Sequence, residues 1–405
     1  MTVGVPTFCG GRLAEARRAR GLFKKSLGDM IGVSGTAITR YEDGDDNPQL
    51  SNLSALAERL NFPVEFFARP VWPETLSPIF WRSQSAESKL AREMTAQRAV
   101  WACEIFYFLE QEVNFPAFDL PQMDLPNDYR LITPEIIERT ARDLREYWGL
   151  RNRPIPDVTL ALENAGIPVI HLDIPSDKQD GFCFSSKEIG RSFVGINIAQ
   201  ISAARARYDA CHELGHAVLH RSVAAEEIRE AALKQIEAQA HRFAGAFLFP
   251  RDEFMTEVRA PSLDYFCSLK RRWGMSIAAM AYRAFNLGLI DDLERSALFK
   301  SMARRGWRGV LREPFDQPGE MPVERPRMLK RGVEAVVEGG VFGRSALLAA
   351  LTLPTVEIEQ IAGLDAGYLT TADIVRLPIS TKQGEVRAID LESGKIVEFH
   401  PRSKK

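Results

Sequence analysis

Two histidines four residues apart, His212 and His216, with Glu213 beside the first, constrain the fold more than any other feature of the chain. Apolar periodicity predicts a helix from Ala203 to about Arg221, which carries His212-Glu213-Leu214-Gly215-His216. On a helix, side chains at i and i+4 project from one face. On that face two imidazoles can reach one metal ion, and the adjacent carboxylate can act as general base on water held there. An open site of this kind needs a third protein ligand. The best candidate is Glu237, on a second helix expected from Glu226 to Phe249 and stopped by Pro250. His241, one turn beyond Glu237, is read as a residue that hydrogen-bonds to the ligands or orients His212 or His216. His220 drifts around the helix axis and is the weaker ligand candidate.

Before these helices, Ile167 to Leu172, Gly181 to Phe184 and Phe193 to Asn197 read as three short strands between turn residues, expected to form a small antiparallel sheet. Helices are expected from Thr133 to Tyr147, near Val158 to Ala165, and over Leu263 to Leu287 with an interruption at Gly274. Arg304 to Pro326 reads as loop, followed by a short helix near Ser345 to Leu351 and alternating segments near Val386 to Ile389 and Ile396 to Phe399.

At the other end, Gly10 to about Phe67 reads as four or five short helices, broken at Gly21, Gly32 and the turn Asp43 to Pro48. Leu27, Ile31, Val33 and Ile38 let two of them pack across Gly32-Val33-Ser34, the grammar of a helix-turn-helix. Ser34 would cap the second helix, whose Gly35, Thr36, Thr39 and Arg40 would face the major groove. Lys24 and Lys25 would reach phosphates, Arg12, Arg17, Arg18 and Arg20 would add local positive charge, and the acidic turn should point away from DNA.

The prolines at 70, 73 and 78 and a long amphipathic helix from Ser85 to about Val113 separate the two halves. The expected division is a DNA-binding domain at 1–70, a linker and bridging helix at 71–129, a metal-site domain at 130–300 and a C-terminal region at 301–405 of unassigned role. The 405 residues are 45% hydrophobic and carry a formal net charge of only -2, so any nucleic-acid contact must come from a local patch. Five scattered cysteines make neither a disulfide framework nor a thiolate zinc site, and no segment has the length and apolarity of a membrane span or signal peptide. A cytoplasmic protein is expected.

Tyr208 to His220 followed by Ile236 to Pro250 resembles the ImmA/IrrE family of metallo-endopeptidases over about residues 130 to 290, with Phe249 where that family more often has methionine. The resemblance implies an α+β zincin-like domain, a Zn2+ ion held by His212, His216 and Glu237, and Glu213 as general base. Members of that family cut helix-turn-helix repressors and so derepress genes. Leu13 to Phe66 is similar to the XRE (Cro/C1-type) helix-turn-helix family, particularly at Gly32-Val33-Ser34, Ile38 to Glu42 and Asn47-Pro48. It departs at Phe23 and Lys24, where threonine and glutamine are usual, and at Gly35, which lacks a side chain that often reads bases.

The chain is thus expected to be multidomain, an all-α helix-turn-helix domain followed by the α+β metallopeptidase domain. Its expected partners are a double-stranded DNA operator, a helix-turn-helix repressor as substrate or its own linker, and a second copy in a homodimer. The competing expectation is a non-catalytic transcription factor whose peptidase-like domain senses a ligand, a metal or a partner.

Overall fold

The computed structural model describes residues 5–73, 89–173, 181–199, 201–223 and 230–370, with the backbone of 80–81, 379–380, 386–389 and 396–398. The first helices are α1 (Gly10–Ala19), α2 (Lys24–Ile31), α3 (Gly35–Asp43) and α4 (Leu50–Leu60), closed by a 3-10 turn at Val64–Ala68. Close backbone approach sets their packing. A Cβ on Gly10 would lie 2.1 Å from the Tyr41 carbonyl oxygen, and one on Gly28 would lie 2.7 Å from that of Val33. Gly32 ends α2 at φ +75°, a left-handed conformation that glycine adopts at no steric cost.

After β1 (Phe80–Trp81) come α5 (Lys89–Glu110), α6 (Pro134–Tyr147), α7 (Val158–Asn164), β2 (Val169–Leu172), β3 (Gly181–Ser186) and β4 (Arg191–Asn197). They lead into α8 (Ala203–Leu219), α9 (Glu230–Leu248), α10 (Arg251–Glu257), α11 (Leu263–Trp273), α12 (Ile277–Asn286) and α13 (Asp292–Arg304). The C-terminal helices are α14 (Met328–Glu338), α15 (Arg344–Leu351) and α16 (Thr355–Ala362). A separate antiparallel sheet joins β5 (Ile379–Ser380), β6 (Val386–Ile389) and β7 (Ile396–Glu398).

The larger sheet has the order β1-β3-β4-β2 and is mixed, a correction to the antiparallel sheet expected from sequence. β3 and β4 form a hairpin, but β2 adds outside β4 and runs parallel to it, with Val169 opposite Val194. An apolar run does not reveal which side of a hairpin it joins, so the direction was not readable. Alternation does place the two faces. Val169, Cys183, Val194 and Ile196 pack with α6, α8, α9 and α12 in one core, while Ile170, Leu172, Phe182, Phe184 and Phe193 belong to a second. In the second core the rings of Phe184 and Phe193 stack at 5.1 Å, and Phe106 of α5 meets Phe193 edge-on at 5.6 Å.

That second core also contains Leu13, Leu27, Ile38, Leu56, Phe66 and Phe67 of the first helices, and Val333, Leu347 and Ile358 near the C-terminus. The helix-turn-helix segment is therefore built onto α5 and onto the sheet's rear face. Buried charges mark the joint. Arg12, 1% exposed, donates to Glu104 at 2.8 and 2.9 Å, to Glu15 at 2.9 Å and to the Pro70 carbonyl at 2.8 Å, while Trp101 Nε1 donates to Glu15 at 3.1 Å. Burial raises the Glu15 carboxyl even though Arg12 and Trp101 favour its charged form. Arg20, just past the end of α1, and Arg98 of α5 both reach Glu357 of α16, and Arg69 donates to the Leu351 carbonyl at 2.8 Å. The C-terminal helices, for which sequence suggested no role, fasten this joint from a third side.

Candidate functional site

α8 is buried along nearly its whole length, with Ser202 capping its start through a 3.3 Å bond from the Arg205 N–H. Its crossing with α9 is set by Gly215, where a Cβ would lie 3.2 Å from Ala240 Cα and 3.2 Å from Phe243 Cδ1. One turn before that crossing, Glu237 meets both histidines. His212 Nε2 lies 3.2 Å from Glu237 Oε2, His216 Nε2 lies 3.3 Å from Oε1, and the two imidazole nitrogens are 3.1 Å apart.

Donor atoms about a tetrahedral ion with bonds of about 2.0–2.1 Å sit about 3.3–3.4 Å from one another, so this trio has the spacing a single Zn2+ requires. His241 also brings a nitrogen within 4.8 Å of donor atoms on His212 and Glu237. Its ring stands 4.3 Å from that of His212 and its Nδ1 3.3 Å from the Tyr208 hydroxyl. The mutual distances among His212, His216 and Glu237 are the shorter ones, and His241 stands beside them.

A chain of hydrogen bonds behind His216 fixes its tautomer. The amide nitrogen of Gln239 donates to the carbonyls of Tyr129 at 2.8 Å and Ile132 at 3.0 Å, which can only accept. Its oxygen must then face His220, 3.0 Å away, and accept from Nε2–H. His220 stays neutral, pushed down to about 3 by burial and by His216, so its Nδ1 carries a lone pair. It accepts from His216 Nδ1–H at 3.1 Å, leaving the His216 Nε2 lone pair aimed at Glu237. An ionised carboxylate and an imidazole lone pair converging at this distance call for a cation between them, and the donor set of two nitrogens and one oxygen suits zinc.

His216 thus has an orienting bond, through His220 and Gln239, that the sequence reading did not supply. The missed signal was Gln239 itself, a polar residue inside the apolar stripe Ile236, Ala240 and Phe243. Glu213, 3% exposed, faces the start of β3, where a Cβ on Gly181 would lie 3.0 Å from Glu213 Oε1. A glycine in a strand often marks such a close approach.

Within the helix-turn-helix segment, Ser34 accepts from the Ala37 N–H at 3.1 Å and caps α3, as expected. Thr36, Arg40 and Lys25 are exposed, and Thr39 is half-buried with its hydroxyl donating to the Gly35 carbonyl at 3.2 Å. Gly35 does not face outward. Its Cβ would meet Lys25 Cα at 3.1 Å, so it serves the α2–α3 contact instead of reading bases. Lys24 lies 3.3 Å from Glu42, which also binds Arg17, and Arg40 lies 3.6 Å from Asp46 of the acidic turn. Of the four arginines expected to add surface charge, Arg12, Arg17 and Arg20 are turned into ion pairs with Glu104, Glu42 and Glu357, and Arg18 alone of that group is exposed.

Residues 13–67 match the family described as helix-turn-helix, and residues 162–285 match a peptidase family described as IrrE N-terminal-like domain. The chain joins a helix-turn-helix domain to an IrrE N-terminal-like domain. The IrrE N-terminal-like domain runs from within α7 to within α12 and contains His212, Glu213, His216, Glu237 and the relay through His220 and Gln239. Among curated proteins none matches the chain. No helix among the described residues is long and apolar enough to cross a membrane.

Proposed function

We propose that this chain is a transcriptional regulator whose helix-turn-helix domain binds a double-stranded DNA operator and whose IrrE N-terminal-like domain is a zinc-dependent endopeptidase. The convergence of His212, His216 and Glu237 at 3.1–3.3 Å, with Glu213 one residue from the first, carries this reading. Zinc bound there would acidify a water molecule and polarise the carbonyl of the peptide bond. Glu213 takes the proton from the attacking water and delivers it to the departing amine nitrogen. His220 and Gln239 keep His216 in the ligating tautomer, and His241, hydrogen-bonded from Tyr208, stands beside His212. Burial of the whole cluster keeps stray water from weakening these interactions.

Glu213→Gln keeps the shape of this side chain and removes its basicity. The variant should retain zinc in elemental analysis while losing hydrolysis of an unstructured protein substrate about 10²–10⁴-fold. If it regulates its operator as well as the parent does and the parent cuts nothing, the non-catalytic sensor reading takes over. A helix-turn-helix repressor fits as substrate because a domain of this kind pairs with its own kind. The chain's own linker is the second choice, and an unchanged mass after incubation with zinc would remove it. Pairing into a homodimer fits the paired half-sites such domains read, and binding an operator fits a cytoplasmic location.

Operator affinity should fall steeply with salt. Lys25→Ala should weaken all sequences alike and reduce the salt slope by about 1, whereas Thr36→Ala should change sequence preference instead. Lys24→Ala should do less, because Lys24 already leans on Glu42 at 3.3 Å. Fluorescence anisotropy on a salt series with two operators distinguishes these, and a flat salt response would sink the DNA contact.

A further inference from the structure

A cavity of about 850 Å³ lies between the first turns of α8, the end of α11 and residues 320–327, the stretch that runs into α14. Residues 154–157, ahead of α7, complete it. Both of these stretches fall outside the matched segment 162–285, so most of the cavity's lining comes from beyond the peptidase-family domain.

Its charges do not balance. Five arginines, at 207, 271, 272, 325 and 327, line it against the three carboxylates of Asp157, Glu320 and Glu324. Three of those arginines are committed. Arg207 pairs with Glu324 and donates to the Ile155 carbonyl at 2.6 Å, Arg327 meets Asp157 at 3.0 Å, and Arg272 meets Glu257 at 2.8 Å. Glu320 accepts from the Gln317 N–H at 3.0 Å. Among the described residues no carboxylate pairs with Arg271 or Arg325, and Arg271 leans over the Phe315 ring at 5.4 Å. Two exposed guanidinium charges are therefore left over at one cavity.

Two further observations point the same way. Arg207 is 7% exposed, yet its Nε has no hydrogen-bond partner. Gly274 makes room for that nitrogen, since a Cβ there would lie 2.3 Å from it. A buried N–H without an acceptor is uncommon, and the cavity beside it is where an acceptor can enter. Burial, and after it the charge of Arg325, push the His171 imidazole on β2 down to about 4, the effect of a cation with no anion beside it. The remaining wall is apolar, from Ile155, Met321 and Val323.

We propose that this cavity binds a small organic phosphate, its phosphate oxygens held by Arg271 and Arg325 and its carbon skeleton laid against Ile155, Met321 and Val323. Two uncommitted guanidiniums match the two charges of a phosphate ester, where a carboxylate would leave one unmatched, and the planar fork of arginine suits phosphate oxygens. A volume of this size encloses a small organic molecule, which an inorganic ion alone would not fill. Nothing in the proposal depends on the metal centre or on hydrolysis.

The probe is phenyl phosphate, titrated calorimetrically into the full chain at fixed ionic strength. It should bind saturably at one site, and inorganic phosphate and benzoate should each bind at least about tenfold more weakly. Arg271→Gln and Arg325→Gln, at exposed positions without ion pairs, should each weaken phenyl phosphate at least about tenfold, whereas Arg272→Gln, whose charge Glu257 already holds, should leave it unchanged. Absence of saturable binding, or benzoate binding as tightly, would overturn the proposal. So would affinity that survives either substitution, as binding at the metal centre would, and so would equal losses in all three arginine variants, the mark of a diffuse positive field.

Discussion

His212→Ala is expected to empty the metal site, with zinc falling from one ion per chain to a trace in elemental analysis and hydrolysis vanishing with it. Three donors within 3.3 Å of one another would hold the ion, and removing one would leave a two-ligand site that competes poorly with protons and water. The relay behind His216 predicts a graded companion. Gln239→Leu keeps all three ligands but frees His220 to turn, which should weaken zinc about 10–100-fold instead of abolishing it. Measured by competition with a chelator, equal losses for the two variants would contradict the tautomer argument. Undiminished zinc in His212→Ala would remove the metal centre altogether.

Arg12→Ala is expected to cost about 3–5 kcal/mol of folding stability at pH 7.5, the largest structural effect of any surface-distant substitution described here. Arg12 is 1% exposed and pairs with Glu15 and Glu104, so its removal leaves two buried carboxylates with only Trp101 Nε1, 3.1 Å from Glu15, and the half-exposed Arg69, 3.6 Å from Glu104, facing them. Glu15, whose carboxyl burial already raises, then loses the charge that offset that burial, so the folded state holds its proton more tightly than the unfolded one and stability falls as pH rises through that window. The loss should therefore be smaller at pH 5 than at pH 7.5, as urea denaturation followed by circular dichroism would read. Adding Glu104→Leu should recover part of it, because a buried pair is more dangerous half-removed than wholly replaced. A pH-independent loss would mean that packing against Phe66, not charge, is what Arg12 supplies.

The helices of the metal site were readable because their demands are local. A histidine pair at i and i+4 of a helix shares a face, and the next helix carries Glu237 beside the apolar Ile236, Ala240 and Phe243. The Ser34 cap and the break at Gly32 were readable for the same reason. Partners far apart in sequence were not. Arg12 looks like a solvent-exposed cation until Glu104, 92 residues away, is brought against it. Gly35 falls on the outward side of a helical wheel, but the wheel cannot show that α2 approaches from there. β2 carries no mark of its parallel partner, and two residues in a proline-rich connector are too few for β1 to show a period. Gln239 was visible as a polar intruder, although its meaning depended on the carbonyls of Tyr129 and Ile132.

Leu13, Phe66 and Phe67 share one interior with Trp101, Phe106 and Ile358. A chain nicked between Pro73 and Phe80 would for that reason stay together as a single particle, its two pieces held by hydrocarbon and by Arg12. Severing the connector would loosen a leash without liberating a free operator-binding fragment, and any change in gene expression after such a cut would have to come from how the two pieces reorient, not from their parting.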